Sequence, residues 1–252
     1  MSTYFDYEAK TYYFDKTLDL GKVVGVRFEG AGQAYYPSDH PWDGEVTRLV
    51  WMGDPDEPMI RGHIRHGVFQ DIQFVNGWIH IDPTRGLGTG LCQFERCTFF
   101  GDSAGVKFGN EKYNGNAADS KFRDCQFVNC ENPIEITSSQ NVNYVIDGCM
   151  FYRCDRVMNV LGGGLVTVQN CYLTKVPEVF TVRGDGSKTG RQNGNFVVRD
   201  LRYDANQIGE VTIAKDVSTY GWRKLVIDNV HAPPQGVLDV YTSKAHWEID
   251  RI

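Results

Sequence analysis

The chain has 252 residues, of which 41% are hydrophobic and 23% charged, the make-up of an ordinary soluble globular protein. Its formal charge of −6 gives no electrostatic ground for nucleic acid or an anionic membrane surface as partner, and no run approaches the ~18 apolar residues of a membrane-spanning helix.

The first residues, Met1 to Asp6, lack a basic region followed by an apolar core, so no signal peptide is expected. Residues 1–20 are rich in aromatics (Tyr4, Phe5, Tyr7, Tyr12, Tyr13, Phe14) and are predicted to form an N-terminal cap, with residues 21–252 as one further unit. Val23–Phe28 is a predicted strand. Gly30–Gln33 is a turn, since no amphipathic helix follows to make it a phosphate loop. Residues 33–46 carry Tyr35, Tyr36, Pro37, Pro41 and Trp42, and a loop of that length is expected to face a partner. Val46–Trp51 resumes the strands.

From residue 69 one phrase recurs: apolar-x-x-Cys-x-apolar. It reads Phe94…Cys97…Phe99, Phe122…Cys125…Phe127, Ile146…Cys149…Phe151 and Val168…Cys171…Leu173. With the Cys replaced it also reads Phe69…Ile72…Phe74, Val198…Leu201…Tyr203 and Ile227…Val230…Ala232. Successive phrases lie 22 to 30 residues apart, and no helical pattern lies between them, which is the mark of a solenoid. Asp71, Asp124, Asn170, Asp200 and Asn229 recur just before the Cys position, where Asx residues suit a left-handed turn. In stacked coils, Phe74, Phe99, Phe127 and Phe151 form an internal aromatic column, continued by Leu173 and Tyr203.

A short apolar-polar-apolar strand follows each phrase, as expected for a strand with one face in a core and one in water. Its polar positions are His80, Lys107, Glu135, Asn159, Thr181, Thr212 and Asp239, predicted to form one outward column. Trp78, Asp82, Thr137, Arg183, Glu210 and Tyr241 flank it. The predicted fold is all-β: a single-stranded right-handed parallel β-helix of about eight coils with three short strands each. Length variation concentrates after the polar strand, at 109–119, 162–164, 183–195 and 215–221, which marks a working side.

There are seven cysteines. Cys97, Cys125, Cys149 and Cys171 share one repeat position, and Cys130 and Cys154 share another. Cys is readily buried as a small hydrophobe, so all seven are expected as free buried thiols of a protein folded in a reducing compartment. His63 and His66 lack a carboxylate or a third His in a recognisable ligand motif, and neither a metal nor a cofactor is expected.

The outward column supplies two chemistries. A lyase needs a base beside an acidic sugar and a cation to hold the uronate; Lys107 or His80 is the candidate base, with Arg183, or a metal at Glu135 and Asp82, as neutraliser. A hydrolase needs two carboxylates ~5 to 9.5 Å apart, and Glu135 has only Asp82, two coils away. Trp78, Asp82, Arg183 and Tyr241 are the candidate sugar-binding residues. The simpler expectation is that Lys107 and Glu135 form a surface cross-strand ion pair.

The coil plan over residues 20–245 resembles the right-handed β-helix of the pectate-lyase-like superfold. The phrase Gly115-Asn116-Ala117-Ala118-Asp119, followed by Phe122…Cys125…Phe127…Cys130 and Gln140-Asn141-Val142-Asn143, is similar to β-helix proteins of bacteria and their phages. The resemblance carries no catalytic residue: Trp-x-Asp-His, Arg-x-Pro-x-x-Arg, Asn-Thr-Asp and Gly-His-Gly are all missing. With no signal peptide, unpaired cysteines and those motifs missing, the expected function is a non-catalytic virion surface component, a capsid decoration or tail appendage assembled in a bacterial cytoplasm, that contacts glycans. The alternative is a secreted polysaccharide lyase or glycoside hydrolase. Trp247–Ile252 offers no amphipathic helix over the last coil, so the expected partners are further copies of the chain, most simply as a trimer, or a protein docked at the C-terminal end.

Overall fold

The structure is a computed structural model and describes residues 3–33, 45–85, 88–110, 115–138, 140–183, 193–204, 211–216, 222–231, 238–239 and 246–251. The described residues form strands, joined by turns and one short 3-10 turn at Pro83–Arg85.

The strands stack into three parallel walls. The first wall runs through Val26–Glu29, Val68–Gln70, Gln93–Glu95, Lys121–Arg123, Val142–Asp147 and Gly164–Gln169. The second runs through Thr47–Trp51, Ile72–Val75, Thr98–Phe100, Gln126–Val128, Met150–Tyr152 and Tyr172–Thr174. The third carries the polar strands, from Ile60–Arg65 through Trp78–Ile81, Gly105–Phe108, Ile134–Ile136, Arg156–Val160 and Glu178–Val182 to Val211–Asp216. All of these pairings are parallel, so the chain is a parallel β-helix with rungs about 4.8 Å apart. The long strand Asn193–Tyr203 bridges the first two walls.

Residues 1–20, expected as a cap with an initial strand, hold strands that pair with the coil after them. Thr3–Asp6 pairs with Val26–Glu29, Thr11–Phe14 with Arg48–Trp51, and Leu18–Val24 with Ile60–Arg65. Phe5, Tyr7, Tyr12 and Phe14 are partly buried and pack against the core from this first coil, Phe5 stacking on Phe28 at 4.5 Å. Coils therefore start at Thr3, Val26, Val68, Gln93, Lys121, Val142, Gly164, Asn193 and Trp222, in keeping with the expectation of about eight. His246–Arg251 adds a further rung beside Trp222–Ile227.

Two phenylalanine columns fill the interior. Phe74, Phe99, Phe127 and Phe151 stack at 5.1, 4.9 and 4.8 Å as expected. Leu173 and Tyr203 continue their register. The first residue of the phrase builds a second column, Phe28, Phe69, Phe94 and Phe122, at 5.0, 4.8 and 4.7 Å. All seven cysteines are free and buried. The thiols of Cys97, Cys125 and Cys171 donate to the carbonyls of Phe69, Phe94 and Ile146 on the preceding rung.

The bend between the first two walls is a left-handed residue in every coil from Asp71 on. Asp71, Arg96, Asp124, Asn170, Asp200 and Asn229 have φ between 48° and 57°, and Gly148 has 64°. The column is electrically matched: Arg96 clamps Asp71 through two bonds of 2.7 and 2.8 Å, and Asn229 donates to Asp200 at 2.6 Å. At Gly148 there is no side chain, and Asn170 reaches Asp147 instead.

Candidate functional site

The third wall turns its polar residues outward in two columns rather than one. Val157 and Met158 are both buried, as are Val179 and Phe180, and Ile213 and Ala214. This repeated buried pair makes a corner in three successive coils, with one outward column on each side of it. His80, Lys107, Glu135, Asn159, Thr181 and Lys215 share the first column. Arg156, Glu178 and Thr212 share the second, whose backbone register Asp239 continues. Thr212 and Asp239 thus leave the expected column, and Lys215 takes the place beside Thr181. Thr137 is buried and donates its hydroxyl to the Phe108 carbonyl, so it does not flank the outward face.

Within the first column the polar groups bind one another. Lys107 Nζ lies 2.9 Å from Glu135 Oε1, and Asn159 Nδ2 donates to Glu135 Oε2 at 2.7 Å. His80 is buried; its Nε2 meets the Gly109 carbonyl at 2.8 Å, and its ring lies 5.4 Å from that of Trp78. Burial, seconded by the charges of Lys107 and Arg61, lowers the His80 pKa against the opposing pull of Gly109 and Asp82, so the ring is neutral.

Glu178 in the second column is the residue that sequence reasoning missed. It accepts from Lys215 Nζ at 2.5 Å and from the Thr181 hydroxyl, and Arg156 Nε stands 3.8 Å away. Burial pushes its pKa up, but the bonds from Lys215 and Thr181 and the charges of Lys215 and Arg156 outweigh it, so the carboxyl is held below the usual range. The signal was polar-apolar-apolar-polar, present in Arg156–Asn159, Glu178–Thr181 and Thr212–Lys215.

An open groove of about 320 Å3 lies on this wall. Trp78, Asp102, Lys107, Glu131, Asn132 and Glu135 line it, with Pro55 and Asp56 at one edge. Trp78 donates its indole N–H to the Pro55 carbonyl at 3.2 Å, which fixes the ring there. Three of the predicted residues, Trp78, Lys107 and Glu135, therefore meet in one groove. Asp82 is on the turn after the strand, where its Oδ1 accepts from the Thr84 amide. Arg183 is exposed at the end of Glu178–Val182, two rungs beyond the Glu135 strand. Tyr241, Glu210 and the aromatics of the 34–44 loop lie outside the described residues. His63 is buried and His66 exposed on a left-handed turn; no cluster of three metal-ligating side chains occurs among the described residues.

No protein-family model matches the chain, and no curated protein matches it in sequence. Among solved structures, the chain is similar to the crystal structure of the Acinetobacter phage vB_ApiP_P1 tailspike protein, with 12% identity and a TM-score of 0.42 over 99% of this chain and 52% of that one. The chain thus spans about half the length of that protein. By its own register of stacked parallel strands, the chain is a parallel β-helix protein.

Proposed function

We propose that the chain is a non-catalytic β-helix assembly protein, a virion surface component such as a capsid decoration or tail appendage, that contacts glycans through the Trp78 groove. The observation that carries this reading is the mutual engagement of the charged residues on the third wall. Lys107 is ion-paired to Glu135, and an ammonium in an ion pair has no lone pair with which to act as a lyase base. A hydrolase needs a protonated carboxylic acid, whereas Glu135 has both oxygens engaged, by Lys107 and by Asn159. What the groove does offer is an indole face rimmed by carboxylate, amide and hydroxyl groups, the chemistry that stacks on a sugar ring and bonds its hydroxyls. The virion setting rests on the phrase Gly115–Asp119 and its sequel.

The first coil supports an assembly role. No strand pairs with its outer edge among the described residues, and Phe5, Tyr7, Tyr12, Phe14, Leu18 and Leu20 pack on the core while remaining partly uncovered. Tyr4, Tyr13 and Val24 are exposed. Open strand edges beside apolar surface favour a covering contact, from further chain, a further copy or a second protein.

The test is a panel of neutral, amino and acidic oligosaccharides, scored for both binding and cleavage. Binding without new reducing ends or unsaturated uronates, and weakened at least tenfold by Trp78→Ala, is expected. Cleavage abolished by Lys107→Ala or Glu135→Ala would replace this reading with the enzymatic one.

A further inference from the structure

We infer that the outer face of the first wall is an interface for a second copy of this chain, packed antiparallel about a two-fold axis on the Leu165–Gln169 rung. Outward residues of this wall alternate with buried ones such as Tyr144, Val166 and Val198. From Lys121–Arg123 to Trp222–Val230 they form three columns across five rungs. The middle column reads Lys121, Val145, Thr167, Val197 and Val226; its last four are half-buried β-branched side chains. Arg123, Asp147, Gln169, Arg199 and Asp228 stand on one side of it. Asp119, Asn143, Leu165, Asn195 and Lys224 stand on the other, tied by Asn143 Nδ2 donating to Asp119 Oδ1 at 2.7 Å. Leu165 is 50% exposed. An apolar stripe beside an exposed leucine, rimmed by charge, is the make-up of a contact surface.

The charges name the partner. When a sheet lies face to face on its own copy, with the two-fold axis along a strand, each column meets itself and the rungs reverse. With the axis on the Leu165–Gln169 rung, Arg123 meets Asp228 of the second copy, Asp147 meets Arg199, and Asp119 meets Lys224. Leu165, Thr167 and Gln169 each meet themselves, and Val145 meets Val197. Lys121 lies over Val226, where its stem covers the methyls and its ammonium keeps to water. No like charges meet across these five rungs. Half a rung either way sets Arg123 against Arg199, or Asp147 against Asp228. A whole rung either way sets Asp147 or Arg199 against itself. A parallel copy, with the axis along the middle column, sets Lys121 against itself. The antiparallel arrangement therefore stands apart, and a two-fold contact closes as a dimer. Among the described residues Arg199 and Asp228 carry no ion pair, and Arg123 reaches Glu95 only at 4.0 Å. Rim charges fix the register, while burial of Leu165 and the valines supplies the attraction. Both copies repeat at one rung spacing, so the register set at Gln169 holds along the wall.

Analytical ultracentrifugation of the full chain should show a monomer–dimer equilibrium by about 100 µM, as suits an interface at the small end of the stable range. Leu165→Lys sets two ammoniums together on the axis and should leave only monomer. Arg199→Glu should weaken the dimer about tenfold or more, and adding Asp147→Arg should restore it, because the swapped charges meet again. Arg123→Asp, rescued by Asp228→Arg, repeats the swap away from the bond that Asn170 makes to Asp147. Circular dichroism checks that each variant is folded. Oxidised Leu165→Cys should run as a disulfide-linked dimer. Tyr13→Ser, at an exposed site on the first coil, should leave the dimer intact. A chain that stays monomeric or forms a trimer would overturn the proposal, as would a dimer kept in Leu165→Lys and lost in Tyr13→Ser. Failure of both charge swaps to restore the dimer would overturn the antiparallel register. None of these outcomes depends on glycan binding.

Discussion

Asn159 Nδ2 donates to Glu135 Oε2 over 2.7 Å, from one rung to the next, on the oxygen that Lys107 leaves open. Glu135 is thus the centre of a three-rung ladder, and both of its oxygens face protein donors. Removing the centre differs from removing an end. Glu135→Ala leaves a buried amide and an ammonium without their acceptor and should destabilise by roughly 1–3 kcal/mol. Lys107→Ala removes a half-exposed ion pair and should cost about 1 kcal/mol or less. Urea denaturation of both variants measures this, and equal effects would show that the ladder is not centred on Glu135.

Acid should unfold the protein in two stages. The His80 pKa is lowered by burial, so its neutral ring contributes stability that is fully present above the unfolded value near 6.5 and is lost as pH falls through the folded value. Asp71 and Glu178 follow at lower pH. Burial raises both, but Arg96 and Gln70 bonds at Asp71, and Lys215 and Thr181 bonds at Glu178, lower them further. Their stability is present above the unfolded carboxylate values near 4 and is lost below them. Burial lowers the His63 pKa as well, so urea midpoints between pH 8 and pH 3 should show the early loss reduced by His80→Gln and abolished when His63→Gln is added, and the late loss reduced by Lys215→Ala. An unchanged curve in His80→Gln would assign the early stage to another group.

Much of this architecture is legible in the chain because a solenoid writes its third dimension into its period. Phe99 and Phe127 stack because they hold the same place in phrases 28 residues apart, and Asp124 turns left-handed because the phrase demands it there. Three things escaped. Residues 3–24 carry no phrase, since their aromatics vary the template, yet their backbone pairs in register with the next coil. Thr212 fits apolar-polar-apolar as well as Thr181 does, but two outward columns flank the corner and Thr212 belongs with Glu178. Asp102 and Glu131 sit on turns between the second and third walls, where no periodicity points, and only stacking reveals them as neighbours.

Thiol chemistry should divide sharply between folded and unfolded protein. Burial pushes the Cys92 thiol up to about 12, and Cys97, Cys130 and Cys149 are likewise raised by burial, so little thiolate forms at these four, and all seven are shut away from a reagent. In unfolded, non-reduced protein a thiol reagent should count all seven cysteines, and in folded protein close to none over minutes. A count of five or fewer after unfolding would establish a disulfide, against the free thiols described here.

Stacked coils should respond to core mutations as a one-dimensional array. Phe99 and Phe127 touch ring to ring at 4.9 Å, whereas Phe74 and Phe151 are separated by both of them. Each Phe→Ala change opens a cavity and should destabilise by roughly 3–5 kcal/mol. The double-mutant cycle of Phe99 with Phe127 should give a coupling of about 0.5–1.5 kcal/mol, since a lost ring contact cannot be lost twice. That of Phe74 with Phe151 should lie below about 0.5 kcal/mol, because repeats transmit energy mainly to their neighbours. Comparable coupling in the two cycles would mean that the column relaxes as a whole, and the nearest-neighbour description of this helix would fail.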